Sequence, residues 1–354
     1  MLQEKEGKFT ASKTESVKPQ AKPLSTVEST SQQAWLHFVA GGVGGMIGSS
    51  LTCPLDVVKT RLQSSLYKPT PTFYSHAHRT VFSTVSTHVV ETIGILKTIH
   101  HQEGVRGLFK GLGPILVGVV PARAIYFAAY GSGKRFLSDL NGGKETSLVH
   151  LSAAASAGII TATATSPIWL VKTRIQLQAM EPSAIRYKNS LDCAYQVVKT
   201  EGVLGLYRGV SASYLGVTEG TLQWVVYEKL KSMIHRRRRA ENDEGVSTEN
   251  KSFGDWMEYF AAAGTAKLFA AVVTYPHEVV RTRLRQTPSV DGVHKYTGLT
   301  QCFKLILKEE GVAALYGGMT AHVMRAVPNA AIMFFCYEAI IHTFGQQQQR
   351  NANA

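Results

Sequence analysis

The ten residues Pro54-Leu-Asp-Val-Val-Lys-Thr-Arg-Leu-Gln63 decide the fold, because the chain contains two further versions of them. These are Pro167-Ile-Trp-Leu-Val-Lys-Thr-Arg-Ile-Gln176 and Pro276-His-Glu-Val-Val-Arg-Thr-Arg-Leu-Arg285. Self-similarity at a long and nearly regular interval is typical of a protein built from repeated supersecondary units. The sequence therefore predicts three structural repeats.

A second motif, which starts with a Glu-Gly pair, follows each of the three stretches. Its versions are Glu103-Gly-Val-Arg-Gly-Leu-Phe-Lys-Gly111, Glu201-Gly-Val-Leu-Gly-Leu-Tyr-Arg-Gly209 and Glu310-Gly-Val-Ala-Ala-Leu-Tyr-Gly-Gly318. The distance from proline to glutamate is longer in the first version, which predicts an insertion at about residues 67–85. The predicted organisation is a disordered polar tail (1–33), repeat one (34–140), repeat two (147–234), a polar linker (235–253), repeat three (254–345) and a polar tail (346–354).

Each repeat contains two apolar segments of about 20 residues, the length that crosses the ~30 Å hydrocarbon core of a bilayer as a helix. Small residues in the first segment, such as Gly41, Gly45 and Gly48, allow helices to approach closely in lipid. We predict an all-α membrane protein of six transmembrane helices in three two-helix repeats, with both ends on one side. A soluble all-α protein is the alternative, but six buried helices of this length would need a much larger protein around them.

Charged residues follow each proline at fixed offsets, and Asp56, Lys59 and Gln63 share one face of a helix. A proline breaks the backbone hydrogen-bond ladder and can turn a helix end inward. Acids on one helix end could then pair with bases on the next, in a ring of ion pairs that closes a pore. Anchoring by lysine and arginine at the membrane surface is the simpler alternative, but it needs no acids. Helix kinks are expected at Pro54, Pro167 and Pro276.

The formal charge of +13 fits an anionic ligand, an anionic membrane surface or nucleic acid. The run at 236–239 of four arginines is soon followed by acids, as in a solvated loop near lipid headgroups, so we expect no nucleic acid partner. The sequence has no Gly-rich phosphate loop, no nucleophile–base pair and no metal-binding spacing of His and Cys. We therefore predict neither an enzyme, a cofactor nor a metal, and we interpret the four scattered cysteines as small buried side chains.

The Pro-x-Asp/Glu-x-x-Lys/Arg-x-Arg signature and the Glu-Gly motif, each present three times, resemble those of the mitochondrial carrier family. The resemblance covers about residues 34–344. It implies six tilted helices with threefold pseudosymmetry, short matrix helices and a central site reached alternately from each side. It further implies a multi-pass protein of the mitochondrial inner membrane with both termini in the intermembrane space. We expect a monomer with membrane lipids, cardiolipin among them at the matrix side, and a small-molecule nucleotide substrate.

By this resemblance, the signature charges form a matrix gate. Asp56 would pair with Lys172, and Glu278 would pair with Lys59. Trp169 stands where the family has an acid, so Arg281 would lack its usual partner. The remaining members, expected to brace the two pairs, are Gln63 and Gln176.

The resemblance also implies a cytoplasmic gate, formed by a Tyr/Phe-Asp/Glu-x-x-Lys/Arg motif on the even-numbered helices. Only the second repeat has this motif intact, and by family geometry Lys134 with Glu338 would be the one pair formed. We therefore expect a weak cytoplasmic gate and an empty carrier that favours the matrix-closed, outward-open state. The residues of this gate are Tyr130, Lys134, Tyr227, Glu228, Lys231, Tyr337 and Glu338.

Charged residues at mid-span are candidates for substrate binding. Lys267 lies deep in the fifth span, where reaching to the membrane interface is a weak alternative. Arginine and lysine suit phosphate oxygens, whereas glutamate and amides could hydrogen-bond a base edge. Glu219 could equally pair with Arg123. Three polar faces would line the cavity with Lys267: Arg123, Tyr126 and Tyr130; Gly216, Glu219 and Gln223; His322, Arg325 and Asn329.

By resemblance, the family's three substrate contact points fall at or within one residue of Gly118, Gly216 with Val217, and Arg325. A glycine–aliphatic pair at the second point is associated with nucleotides. The Pro-Ile-Trp sequence at 167–169 is typical of the branch that carries folate, flavin nucleotide, NAD and pyrimidine nucleotides. Residues 258–269 and 275–286 are similar to pyrimidine nucleotide carriers of fungi. The leading interpretation is antiport of pyrimidine nucleoside di- and triphosphates; the alternatives are a carrier of NAD, FAD or folate, and a proton-dissipating channel.

Overall fold

The computed structural model describes residues 24–67, 81–181, 186–243, 253–288 and 292–352, and in these residues the fold is all-helical. Eleven α-helices follow one another there, joined by short turns and single 3₁₀ turns. Their bounds are α1 Leu24–Leu51, α2 Cys53–Gln63, α3 Val81–Leu108, α4 Leu112–Leu140, α5 Ser147–Leu177, α6 Ser190–Glu201, α7 Val210–Asp243, α8 Phe253–Thr274, α9 Pro276–Leu284, α10 Leu299–Glu309 and α11 Met319–Ala352.

The prolines of the signature act differently in the three repeats. In repeats one and three they start new helices, because α1 gives way to α2 just before Pro54 and α8 gives way to α9 at Pro276. Proline fits the first helical turn, where its missing N–H needs no partner. Pro167 instead lies inside α5, which continues across it. The three prolines are therefore equivalent in sequence but not in local structure.

Glycines of the Glu-Gly motif turn the chain between a surface helix and the next long helix. Gly104, Gly202 and Gly311 have φ values of 68°, 77° and 80° with extended ψ, a conformation open almost only to glycine. The last glycine of each motif also has a positive φ: Gly111, Gly209 and Gly318. This threefold agreement explains why the motif keeps glycine at both places.

The helices run past several boundaries drawn from the sequence. α1 begins inside the predicted tail, α7 continues nine residues into the predicted linker, and α11 extends over most of the C-terminal tail. Polar residues such as Glu, Gln and Arg are good helix formers and prolong a helix that an apolar segment has already nucleated. The range of α3 contains a kink at Gly104, and its continuous part, residues 81–103, is still longer than a short matrix helix because part of the repeat-one insertion extends it. The rest of the insertion, 68–80, and the tail before residue 24 lie outside the described residues.

Three helical stretches in the described residues are long and apolar enough to cross a membrane: Leu112–Leu140, Ser147–Met180 and Val312–Thr343. α1, α7 and α8 are 22 to 34 residues long, which also suffices in length. α7 mixes charged side chains such as Glu219 and Lys231 into its apolar sequence. Large apolar side chains point outward, including Phe260 and Phe335 at 76% and 75% exposure, as expected of a surface in contact with lipid.

Each repeat has an apolar cluster at the helix end that bears the signature, and two of these clusters also include an alanine of another repeat, Ala321 or Ala212. In repeat one Cys53, Val57 and Val58 pack on Ile99 of α3, and the other repeats use equivalent residues around Cys193 and Cys302. These clusters fix the surface helices against the long ones, and they leave the polar faces of the signature to meet at the centre.

Candidate functional site

A central cavity of about 1000 Å³ lies between the helices and is lined mainly by α5 and α7, with fewer residues from α2, α4, α9 and α11. We call the end with the signature residues, such as Asp56 and Lys59, the proline end. The opposite end, where Tyr130, Ser147 and His150 lie beside the α4–α5 turn, is the loop end. The cavity spans most of the length of the bundle and ends against a layer of ion pairs at the proline end.

Asp56 at the proline end is bonded to three side chains of two other helices. Lys172 of α5 approaches its carboxylate to 2.6 Å, and Gln176 donates a hydrogen bond of 2.9 Å to the same oxygen. Arg325 of α11 pairs with the other oxygen. The carboxylate is only 5% exposed, so its interactions are little weakened by water. One acid thus ties α2 to both α5 and α11.

Glu278 forms the second connection. Lys59 of α2 lies 2.7 Å from it and links repeats one and three. Arg281 also lies 2.7 Å from Glu278, one turn along the same helix. Arg281 therefore has a partner, but that partner is not in another repeat. Trp169 holds the place of the missing third acid and lies against Lys172, whose Nζ is 5.5 Å from the indole centre.

Glutamines close the layer below these pairs. Gln176 accepts a hydrogen bond from Thr60 at 2.7 Å, and Gln63 accepts one from Thr282 at 2.8 Å. Gln63 also donates to the Tyr275 hydroxyl at 3.0 Å. Each glutamine thus joins its own helix to that of a neighbouring repeat, the arrangement expected of a brace.

A ring of three arginines lies one layer further out, and sequence reasoning missed it. Each buried arginine pairs with the glutamate of its own repeat, with contacts of 2.6, 2.9 and 2.7 Å. Its Nε also donates to a backbone carbonyl of the next repeat, at 3.4, 3.2 and 3.2 Å. The arginine and the glutamate each occupy the same position of their motif in all three repeats, and this recurrence could have revealed the ring. The pairs are Arg61–Glu103, Arg174–Glu201 and Arg283–Glu310, and the carbonyls belong to Gln176, Arg285 and Gln63.

Glu201 also reaches across to repeat three, since His294 Nε2 lies 3.2 Å from its carboxylate. Burial alone would raise the pKa of this carboxyl group. The hydrogen bonds and charges of His294 and Arg174 outweigh burial and lower the pKa to about 2.

The loop end does not form the expected pair between Lys134 and Glu338. Lys134 instead lies 2.8 Å from Glu145, which follows the end of α4 in sequence. The Tyr130 hydroxyl is 2.9 Å from His150 Nδ1, and Lys231 is 3.7 Å from Glu228 of its own helix. Tyr130 and His150 join repeats one and two, whereas the other two contacts lie within a helix or beside its end. In the described residues these contacts therefore do not join all three repeats, as the proline end does. The other residues named for this gate are Tyr227 on α7 and Tyr337 on α11.

Five residues predicted to bind substrate line the cavity: Gly216, Val217, Glu219, His322 and Arg325. Five others do not line it: Gly118, Arg123, Gln223, Lys267 and Asn329. A Cβ on Gly118 would meet Ile168 at 3.0 Å, so this glycine serves close packing.

Three of the predicted binding residues that do not line the cavity, Arg123, Lys267 and Asn329, contact neighbouring helices instead. Arg123 donates to Met333 Sδ at 3.0 Å and lies beside Gly45, so the suggested Arg123–Glu219 pair is not formed. Glu219 instead pairs with Lys267 at 2.7 Å, which brings the charge of Lys267 to the edge of the cavity. Asn329 lies against Gly48.

Several cavity residues were not singled out as binding residues from the sequence. His277 is anchored by a 2.5 Å hydrogen bond between its Nδ1 and the Thr274 carbonyl, and its Nε2 faces Gly216. Trp224 and Arg285 also line the cavity. His277 and Arg285 lie inside the third signature and differ from their counterparts in the other repeats, which is the signal that could have revealed them.

Three similar helix pairs, around a polar cavity that ion pairs close at one end, define a helical membrane transporter. The family profile described as "Mitochondrial carrier protein" matches residues 30–141, 143–238 and 253–348. The chain belongs to the mitochondrial carrier family, and it is accordingly a multi-pass protein of the mitochondrial inner membrane.

Curated relatives agree with this assignment over most of the chain. "Mitochondrial carrier protein rim2" of Schizosaccharomyces pombe is 52% identical, over 87% of this chain and 90% of the relative. "Mitochondrial pyrimidine nucleotide transporter RIM2" of Saccharomyces cerevisiae is 50% identical, over 87% and 85%. "Solute carrier family 25 member 36" of Mus musculus is 43% identical, over 87% and 96%.

Proposed function

We propose that the chain exchanges pyrimidine nucleoside di- and triphosphates across the mitochondrial inner membrane by alternating access. The observation that carries the proposal is the cationic closed end of the cavity, which Lys59, Lys172 and Arg325 line. Arginine and lysine at this depth suit phosphate oxygens. The printed name of the Saccharomyces relative, at 50% identity, supplies the pyrimidine class.

The proline end is the matrix side and both termini lie in the intermembrane space in this proposal. Two inter-repeat ion pairs at the proline end, against local contacts at the loop end, support an empty carrier that is closed to the matrix and open outward. Nucleotide entering from the loop end would meet Glu219 on the cavity wall and then the cations of the proline end, where His277 also lies, 4.0 Å from Glu278. A ligand shifts such an equilibrium only by binding one state better than the other, so transport requires contacts that improve as the loop end closes.

The proposals on oligomeric state, lipid and nucleic acid rest on the resemblance to the carrier family and on the distribution of charge. We assign the carrier as a monomer with cardiolipin at the matrix side and no nucleic acid partner. The arginine run continues α7, and Arg237 lies 4.0 Å from Glu258 at the start of α8. Such a partly paired cluster at a helix end fits anionic headgroups.

Counter-exchange in liposomes tests the function. We expect rapid exchange of UTP, CTP and TTP, weak exchange of ATP and NAD, and loss of about 90% of activity in Arg325→Ala, because a phosphate partner is removed. Preference for NAD, FAD or folate would replace the pyrimidine assignment with that alternative. Proton conductance without any counter-substrate would contradict the antiport itself.

A further inference from the structure

The floor of the cavity, defined by the charged residues at its proline end, carries more cations than acids. Asp56 is shared by Lys172 and Arg325, and Glu278 is shared by Lys59 and Arg281. Arg285 also lines the cavity and forms no ion pair with an acid of the described chain. Five cations thus face two carboxylates, and the unbalanced charge lies on the side of repeats two and three.

Arg285 is nearly buried, at 5% exposure, yet its guanidinium is incompletely bonded. One terminal nitrogen donates to the Ser213 hydroxyl at 3.1 Å, whereas Nε has no hydrogen-bond partner among the residues that the structure describes. A buried donor without an acceptor is costly, and for a charged group the cost is larger. An anion at the cavity floor would supply the missing acceptor and charge.

The arginine at position 285 distinguishes repeat three from the other two repeats, which have glutamine at the equivalent position. Its counterparts, Gln63 and Gln176, each accept a hydrogen bond from a threonine of a neighbouring repeat. Arginine has no acceptor atom, and Thr173, the threonine expected to donate to it, bonds to the Trp169 carbonyl of its own helix. The interface between repeats two and three therefore lacks both its acid and its acceptor brace.

We propose that Arg285 and Arg281 form an anion subsite beside Trp169 that takes the terminal phosphate of a nucleoside di- or triphosphate. The inference rests on the proposed function and deepens it by giving the phosphate chain a place. The phosphate stands where the third gate acid is missing, between Lys172 of repeat two and the two arginines of repeat three. A nucleotide whose base lies near Glu219 reaches this subsite more readily with two or three phosphates than with one, so we expect the subsite to select for phosphate number.

The experiment compares UTP and UMP binding to the purified carrier by thermal-shift titration. Arg285→Gln should weaken UTP binding about tenfold, since a charge-assisted contact is lost, and should leave UMP binding nearly unchanged. The same variant should not lower the melting temperature of the empty carrier, because glutamine restores the acceptor that repeats one and two possess. Arg285→Lys should keep most of the UTP affinity. Lys199→Gln, which removes an exposed charge of α6 outside the cavity, is the control for net charge.

Trp169→Glu provides a second, opposite test by placing a carboxylate beside Arg281. It should stabilise the empty carrier and weaken UTP binding, because the carboxylate competes with the phosphate. Equal losses of UTP and UMP affinity in Arg285→Gln, or unchanged UTP affinity, would overturn the subsite. Wild-type exchange of pyrimidine nucleotides would still stand in that case, whereas a wild type that binds no nucleotide would overturn the proposed function and the subsite together.

Discussion

Arg325 of α11 pairs with Asp56 of α2, so a residue expected to contact substrate holds a gate acid in this structure. Asp56 is also bonded by Lys172 and Gln176. A phosphate that engages Arg325 must compete with this carboxylate, which couples occupancy of the cavity to the strength of the gate. Loss of the Arg325–Asp56 ion pair would be enough to link phosphate binding to a weaker gate.

Replacing the shared acid tests this coupling. Asp56→Asn leaves Lys172 and Arg325 without a carboxylate, and we expect it to destabilise the empty carrier by about 3–5 kcal/mol, since removing one partner of a buried ion pair is costly. UTP should recover more of the melting temperature in this variant than in the wild type, because phosphate replaces the lost charge. Asp139→Asn, an exposed acid at the end of α4, is the control. An unchanged melting temperature in Asp56→Asn would contradict the gate assignment.

The Lys267–Glu219 ion pair predicts that removing the lysine alone impairs exchange more than removing both charges. Lys267→Ala leaves Glu219 unpaired at the cavity wall, where its charge repels an anionic nucleotide, so exchange should fall about tenfold or more. Adding Glu219→Gln should restore part of the activity, since the repulsion disappears. Initial rates of UTP exchange in liposomes measure both variants. A double variant slower than Lys267→Ala would show that Glu219 binds substrate directly.

Two glycines of α7 give a matched packing test. A Cβ on Gly216 would lie 3.0 Å from His277 Nε2, whereas a Cβ on Gly220 would have no neighbour within 4 Å. Gly220→Ala should raise stability by up to about 1 kcal/mol through helix propensity. Gly216→Ala should lose this gain, because His277 must move from its hydrogen bond to Thr274. Melting temperatures of the two purified variants decide between them, and equal gains would refute the close contact.

The low pKa of Glu201 predicts a pH-dependent contribution to stability. Its folded pKa of about 2 lies below the usual 4.5, so the contribution is complete above about pH 4.5 and is lost as the pH falls towards 2. Glu201→Gln should therefore melt below the wild type at pH 7, and the difference should shrink below about pH 4.5. Melting curves of both proteins across this range provide the measurement. A difference that stayed constant with pH would mean that the carboxylate charge is not what stabilises the ring.

Much of the fold follows from local rules that the sequence displays. The prediction of an all-helical carrier fold in three repeats is confirmed, because apolar length, proline position and paired glycines each recur three times. The expected contacts Asp56–Lys172 and Lys59–Glu278 are also present. These residues follow a proline on one helical face, so their direction is set by the backbone.

The contacts of the remaining site residues could not be predicted, because sequence periodicity does not show which side chains of other helices lie near them. Arg123 shares a face with Tyr126 but extends towards Met333, and Lys134 finds Glu145 close in sequence before any distant acid. Long side chains select among partners by distance in three dimensions. Helix ends were misplaced for a similar reason, since polar residues of the tails continue helices as readily as they form loops.

Side-specific cysteine labelling tests the central claim most directly. A single cysteine is introduced as Tyr126→Cys on the cavity wall, in a variant whose four native cysteines are replaced, and is labelled in liposomes with a membrane-impermeant thiol reagent. We expect labelling from the intermembrane-space side in the empty carrier, and labelling from the matrix side that rises when UTP is added. Predominant matrix-side labelling without nucleotide would contradict it.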